Sequence, residues 1–205
     1  MVFFPFLVSN SVLCSLSLSL TLMNRLHMQM FSFLGAKFPN VRKSLHAGEL
    51  ALGMVVPEDL THHITDAVRI AGAERIGHGV AIVHETDSLE LLKEMKDKKV
   101  TVEINLTSND FILGISGDAH PVTIYLQSEV PVVISTDDSG VSRNDLASQY
   151  TMLGSSYDIS YAGIKKLVFN SIRYSFLPEA DREKMMSLVD TQFCIFESKI
   201  AALRV

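Results

Sequence analysis

The sequence predicts an α/β fold built from parallel βαβ units, and three observations carry that prediction. Four short apolar runs, at residues 41–45, 75–80, 100–106 and 130–135, alternate with stretches of helical periodicity. The third run alternates strictly, with Val100, Val102, Ile104 and Leu106 on one face and Thr101, Glu103 and Asn105 on the other. Each run also ends in polar groups able to do chemistry, and parallel α/β sheets collect function at the carboxyl ends of their strands.

The first strand, 41–45, leads into Ser44-Leu45-His46-Ala47-Gly48-Glu49. His46 is a potential metal ligand and Glu49 a potential proton carrier. Small Ala47 and Gly48 between them let the backbone turn. Pro57-Glu58-Asp59 opens a helix, because Pro suits a first turn and acids complement a helix N-terminus. Leu60, Ile64, Ala67, Val68 and Ala71 form its apolar stripe, and Gly72 is its stop. The second strand ends at His78, which sits between two glycines and serves either a turn or a site. Thr86 is the expected cap of the next helix, with Leu89, Leu92 and Met95 as its buried face and Lys96, Lys98 and Lys99 at its end.

The third strand runs into Thr107-Ser108-Asn109, which reads as turn chemistry. If the face carrying Glu103 and Asn105 looks into a barrel, both residues line its interior. After Gly114 and Gly117, His120-Pro121 leads into a short helix to about residue 129, with His120 read as positional. The fourth strand ends in Thr136-Asp137-Asp138. These acids are either helix caps or, as adjacent carboxylates, a pair that calls for a cation or donors nearby. Helices are expected at 144–153, 161–176 and 178–200. His62 and His63 read as surface residues, and His27 and His84 have no partner set.

The bulk properties narrow the function. A net charge of −5 argues against nucleic acid as a partner. The two cysteines, Cys14 and Cys194, form no CxxC pair, so a reducing, cytoplasmic setting is expected. Residues 1–24 carry no charge and are apolar, which leaves a secreted or membrane-targeted form open. The segment lacks a basic start and an A-x-A-like site, and its serines dilute it as a membrane span. Its Ser-Leu alternation at 15–22 has the period of a strand. The expected organisation is an unrelated apolar leader at 1–30 followed by one domain at 31–205.

The strand ends together resemble the adenosine deaminase family of metal-dependent hydrolases. The matching pieces are Ser-Leu-His46-Ala-Gly-Glu49, Arg-Ile-Gly-His78-Gly-Val, Val-Glu-Ile-Asn-Leu-Thr-Ser-Asn109, His120-Pro121 and Ser-Thr-Asp137-Asp138, in the family's order and spacing across about residues 38–177. The resemblance implies a partial (β/α)8 TIM barrel: strands five to eight with their helices, plus C-terminal helices. It implies zinc-dependent hydrolytic deamination of adenosine or deoxyadenosine to inosine or deoxyinosine and ammonia. His46 and Asp137 would be zinc ligands, and Glu49 would protonate the purine at N1. His78 would orient or deprotonate the zinc-bound water, and Asp138 would meet the purine at N7. The family's His-x-His, source of two more zinc ligands, has no counterpart here, so the Zn²⁺ site is incomplete in this chain. A half barrel exposes two sheet edges, which makes self-association through them an expectation. The alternative to an enzyme is a non-catalytic remnant or interaction module on the same scaffold.

Overall fold

The computed structural model describes residues 20–203. Four strands, β1 (Ser44–Ala47), β2 (Arg75–His78), β3 (Thr101–Ile104) and β4 (Val132–Ile134), form one parallel sheet in the order β1-β2-β3-β4. The sequential order follows from the connections, since parallel neighbours need a crossover and each gap holds a helix. The first helix, α1 (Leu20–Lys37), precedes the sheet; α2 (His63–Arg69) and α3 (Ser88–Lys98) cross from β1 to β2 and from β2 to β3. Next, α4 (Leu106–Leu113) and α5 (Val122–Gln127) lie between β3 and β4. The chain then continues through α6 (Ser139–Ser142), α7 (Leu146–Ser156), α8 (Tyr161–Arg173) and α9 (Glu179–Ala202).

The core lies between the sheet and this helical layer. Ile76, Val102, Ile104 and Val132 from the strands meet Ile64, Ala67, Ala71, Leu91, Leu92 and Met95 from the helices and their ends, all buried. The alternation read in the third run holds, because Val102 and Ile104 point into this core while Glu103 points to the other face. On that inner face Glu103 accepts hydrogen bonds from Ser44 Oγ at 3.0 Å and Arg75 Nε at 2.6 Å. A cavity of about 310 Å³ opens there, beside Arg75, Glu103, Val133 and Ser135.

Three local expectations are corrected. Leu89 is 82% exposed, and the buried face of α3 is Leu91, Leu92 and Met95. Steps of three residues fall about 60° short of a helical turn, so Leu89 has rotated about 120° away from Met95. The third strand stops at Ile104, and residues 107–109 belong to α4 instead of a turn. The strand-like alternation at 15–22 gives way to helix over its described part, Leu20 to Leu22, and its earlier residues lie outside the described ones. Within α1, Met28 is buried in the core and Arg25 pairs with Asp66 at 3.3 Å. No described helix is long and apolar enough to cross a membrane.

The turn after β2 sets up the site. Gly79 is left-handed, with φ of 64°, and its carbonyl accepts a 2.6 Å hydrogen bond from the fully buried Tyr125 hydroxyl. A Cβ at Gly79 would lie 2.6 Å from Tyr125 Oη and 3.0 Å from Val102 Cγ1. Gly79→Ala is therefore expected to cost about 2–4 kcal/mol, from left-handed strain plus overpacking, read as a lowered urea midpoint.

Candidate active site

The carboxyl ends of β1, β2 and β4 bring four chemistry-bearing side chains to one rim. His46, next to the end of β1, is an exposed side chain two residues before the Gly48 turn. Its ring lies over Gly77 of the neighbouring strand, where a Cβ would come within 3.4 Å of His46 Nδ1. Glycine at 77 thus leaves room for the imidazole. Gly48 N–H donates to His63 Nδ1 at 3.0 Å, which ties the β1 turn to the start of α2. Glu49 follows that turn, half-buried.

His78 ends β2 and is fully buried. Its ring centroid is 4.9 Å from that of His46. His78 Nε2 lies 3.5 Å from Glu49 Oε2 and 3.8 Å from Asp137 Oδ2. One ligand atom from each of His46, Glu49 and His78 falls within 4.8 Å of the others. Both His78, with φ of 71°, and Asp137, with φ of 53°, are non-glycine residues in the left-handed region. Each such conformation costs about 1–2 kcal/mol. Asp137 N–H donates to Ser135 Oγ at 3.2 Å, which helps hold the turn. Asp138 is exposed at the start of α6, where its carbonyl accepts from the N–H groups of Val141 and Ser142.

A second layer lies behind His78, made of Asn109 and His120, which local sequence preference reads as a turn residue and a positional histidine. Asn109, fully buried on α4, bridges two imidazoles: as placed, its Oδ1 is 2.8 Å from His78 Nδ1 and its Nδ2 is 2.8 Å from His120 Nε2. Val122 N–H donates to His120 Nδ1 at 3.2 Å. Burial, and secondarily the nearby His78, pushes His120 down to about 4, so it is neutral at physiological pH. His63, expected on the surface, is half-buried, and desolvation lowers it despite Asp66 and Asp59 nearby. A signal for Asn109 existed: it lies three residues after Leu106, on the same inward face of a helix that starts where β3 stops.

The donor set fits a divalent ion of the zinc type, which binds imidazole and carboxylate. His78 Nε2 marks a space left for a further polar group, such as water on an ion, since it is buried, faces two carboxylates and has no hydrogen-bond partner among the described residues. The fit is partial, because structural and catalytic zinc sites take three or four protein ligands and no His-x-His occurs in the sequence.

The family model for adenosine deaminase matches residues 21–192. An adenosine deaminase from Clostridium perfringens is 32% identical over 151 residues, which cover 73% of this chain and 42% of that protein. The N6-methyl-AMP deaminase of Arabidopsis thaliana superposes with a TM-score of 0.62 at 25% identity, over 77% of this chain and 43% of that one. An amidohydrolase from Burkholderia ambifaria, solved with bound zinc, superposes with a TM-score of 0.67 at 17% identity, over 81% of this chain and 44% of that one. The chain thus spans less than half the length of these relatives, and its parallel sheet with surrounding helices is part of a TIM barrel. By sequence and by fold, the chain belongs to the adenosine deaminase family.

Proposed function

We propose that this chain carries part of a zinc-dependent site for hydrolytic deamination of adenine-type nucleosides, with adenosine or deoxyadenosine as substrate and inosine or deoxyinosine plus ammonia as products. The observation that carries the reading is the convergence of His46, Glu49, His78 and Asp137 on one rim. His46 and Asp137 would hold the metal. When bound, the ion supplies Lewis acidity that makes water nucleophilic near neutral pH. Glu49 places a proton on purine N1, which absorbs the negative charge that builds as C6 is attacked. His78 faces the same space from a buried position and orients the attacking water. Asp138, exposed on the rim, meets the purine at N7.

A second reading has its own observation. His46 is exposed, and a ligand open to water without His-x-His co-ligands suits a scaffold that has lost turnover. In that case the outer edges of β1 and β4, unpaired among the described residues, are the working surface and pair with further strands, including those of a second copy. Elemental analysis of the purified chain after zinc loading, combined with loss of adenosine absorbance, separates the readings. Stoichiometric zinc with turnover supports the deaminase reading. A folded chain with neither removes the deaminase reading.

A further inference from the structure

We propose that Asn109 and His120 form a relay that fixes the tautomer of His78, with the ring proton held on Nε2, toward Glu49 and Asp137. The relay rests on the deaminase reading only for its functional consequence, not for its chemistry.

One donor in this cluster cannot be turned around. Val122 N–H is a backbone group at the start of α5, and it points at His120 Nδ1 at 3.2 Å. Nδ1 must therefore accept, and a neutral imidazole that accepts at Nδ1 carries its proton on Nε2. His120 is neutral because it is buried. Its Nε2–H then needs an acceptor, and the atom 2.8 Å away belongs to the Asn109 amide. As the amide is placed, its nitrogen is on that side, and both ring nitrogens of His120 then face N–H donors, which neither neutral tautomer nor the imidazolium satisfies. The amide is free to turn by 180°, so its oxygen belongs toward His120 and its NH₂ toward His78. His78 Nδ1, at 2.8 Å, then accepts, and its single proton lies on Nε2.

The other side of the ring is compatible with the same tautomer. Among the described residues His78 Nε2 has no hydrogen-bond partner, and it faces Glu49 Oε2 at 3.5 Å and Asp137 Oδ2 at 3.8 Å. A lone pair aimed at two carboxylates is repelled, while an N–H is attracted. The relay thus presents His78 to the rim as a donor, able to orient an oxygen nucleophile, instead of as a base or ligand. Asn109 and His120 are positioning residues, since they act on the rim only through His78.

Nitrogen-15 spectra of histidine-labelled, metal-free chain test this in mildly alkaline buffer, with resonances assigned through His78→Gln and His120→Gln. The expected result is a pyridine-type Nδ1 and a pyrrole-type Nε2 for both His78 and His120. Asn109→Asp places an acceptor-only group in the relay, so His78 Nδ1 is expected to become protonated, a change that a merely structural role would not produce. A protonated Nδ1 on His78 in the unaltered chain overturns the proposal, as does a folded Asn109→Asp chain whose His78 Nδ1 stays pyridine-type. If that variant does not fold, the unaltered chain decides alone. The spectra require neither zinc nor turnover, so a failed deaminase assay leaves the tautomer assignment intact, and an overturned tautomer leaves the deaminase reading standing.

Discussion

Glu49→Gln is expected to lower adenosine turnover by about 10²–10⁴-fold, the range that a positioned proton donor contributes, while zinc content stays unchanged. Glutamine keeps the size and hydrogen-bonding reach of the side chain but has no acidic proton to deliver at N1. The metal measurement matters as much as the rate. Glu49 belongs to the same three-residue group as His46 and His78, with ligand atoms within 4.8 Å, so geometry alone allows it to ligate. As a ligand, its loss would strip the metal, because an amide oxygen replaces a carboxylate poorly at zinc. As a proton carrier, its loss would leave the metal in place and the enzyme slow. Elemental analysis beside kcat/KM for the zinc-loaded chain distinguishes the two. Unimpaired turnover in the variant would remove Glu49 from the chemistry altogether.

The rim was legible because its residues follow directly from strand ends. His46, His78 and Asp137 each lie at or just beyond the end of a short strand, and the βαβ rhythm alone puts such positions on one face of a parallel sheet. What lies behind the rim was not legible, for a physical reason. Thr107-Ser108-Asn109 has the composition of a turn, and local preference favours one. Leu106 instead turns inward and starts a helix, where burial of the apolar face outweighs that preference. That single difference converts Asn109 from a surface turn residue into a buried bridge. His120 was hidden similarly. Its neighbour Pro121 accounts for the start of a helix without any need for the ring, and only the packing of α4 beside it reveals what the ring meets. The apolar stripe of α3 was misplaced at Leu89 because steps of three residues fit the pattern as well as the true face, Leu91, Leu92 and Met95.

The second large effect is on stability in acid. An ordinary histidine titrates at about 6.5, whereas buried His120 is pushed down to about 4. Between those values the unfolded chain takes up a proton that the folded chain refuses, so the unfolded state gains as pH falls. His120 therefore contributes stability that is fully present above about 6.5 and is lost as pH drops through about 4, worth about 3 kcal/mol in total. Against a domain stability of about 5–15 kcal/mol this is a large fraction. His63, lowered by burial, acts in the same direction. Glu85 acts in the opposite one. Burial raises its carboxyl even though it accepts the N–H groups of Ile64 at 2.6 Å and Thr65 at 3.2 Å, so its contribution is present at low pH and lost as pH rises. The total acid profile mixes these effects, but the difference between the unaltered chain and His120→Gln isolates one of them. Urea midpoints measured from neutral pH down to about 4 are expected to fall more steeply for the unaltered chain, by the equivalent of about 3 kcal/mol across the window. The variant starts lower at neutral pH, because it has lost the ring that Asn109 and Val122 hold, and the two curves converge as the acid limit approaches. Parallel curves would mean that the folded chain protonates His120 as readily as the unfolded one, and that its burial carries no electrostatic cost.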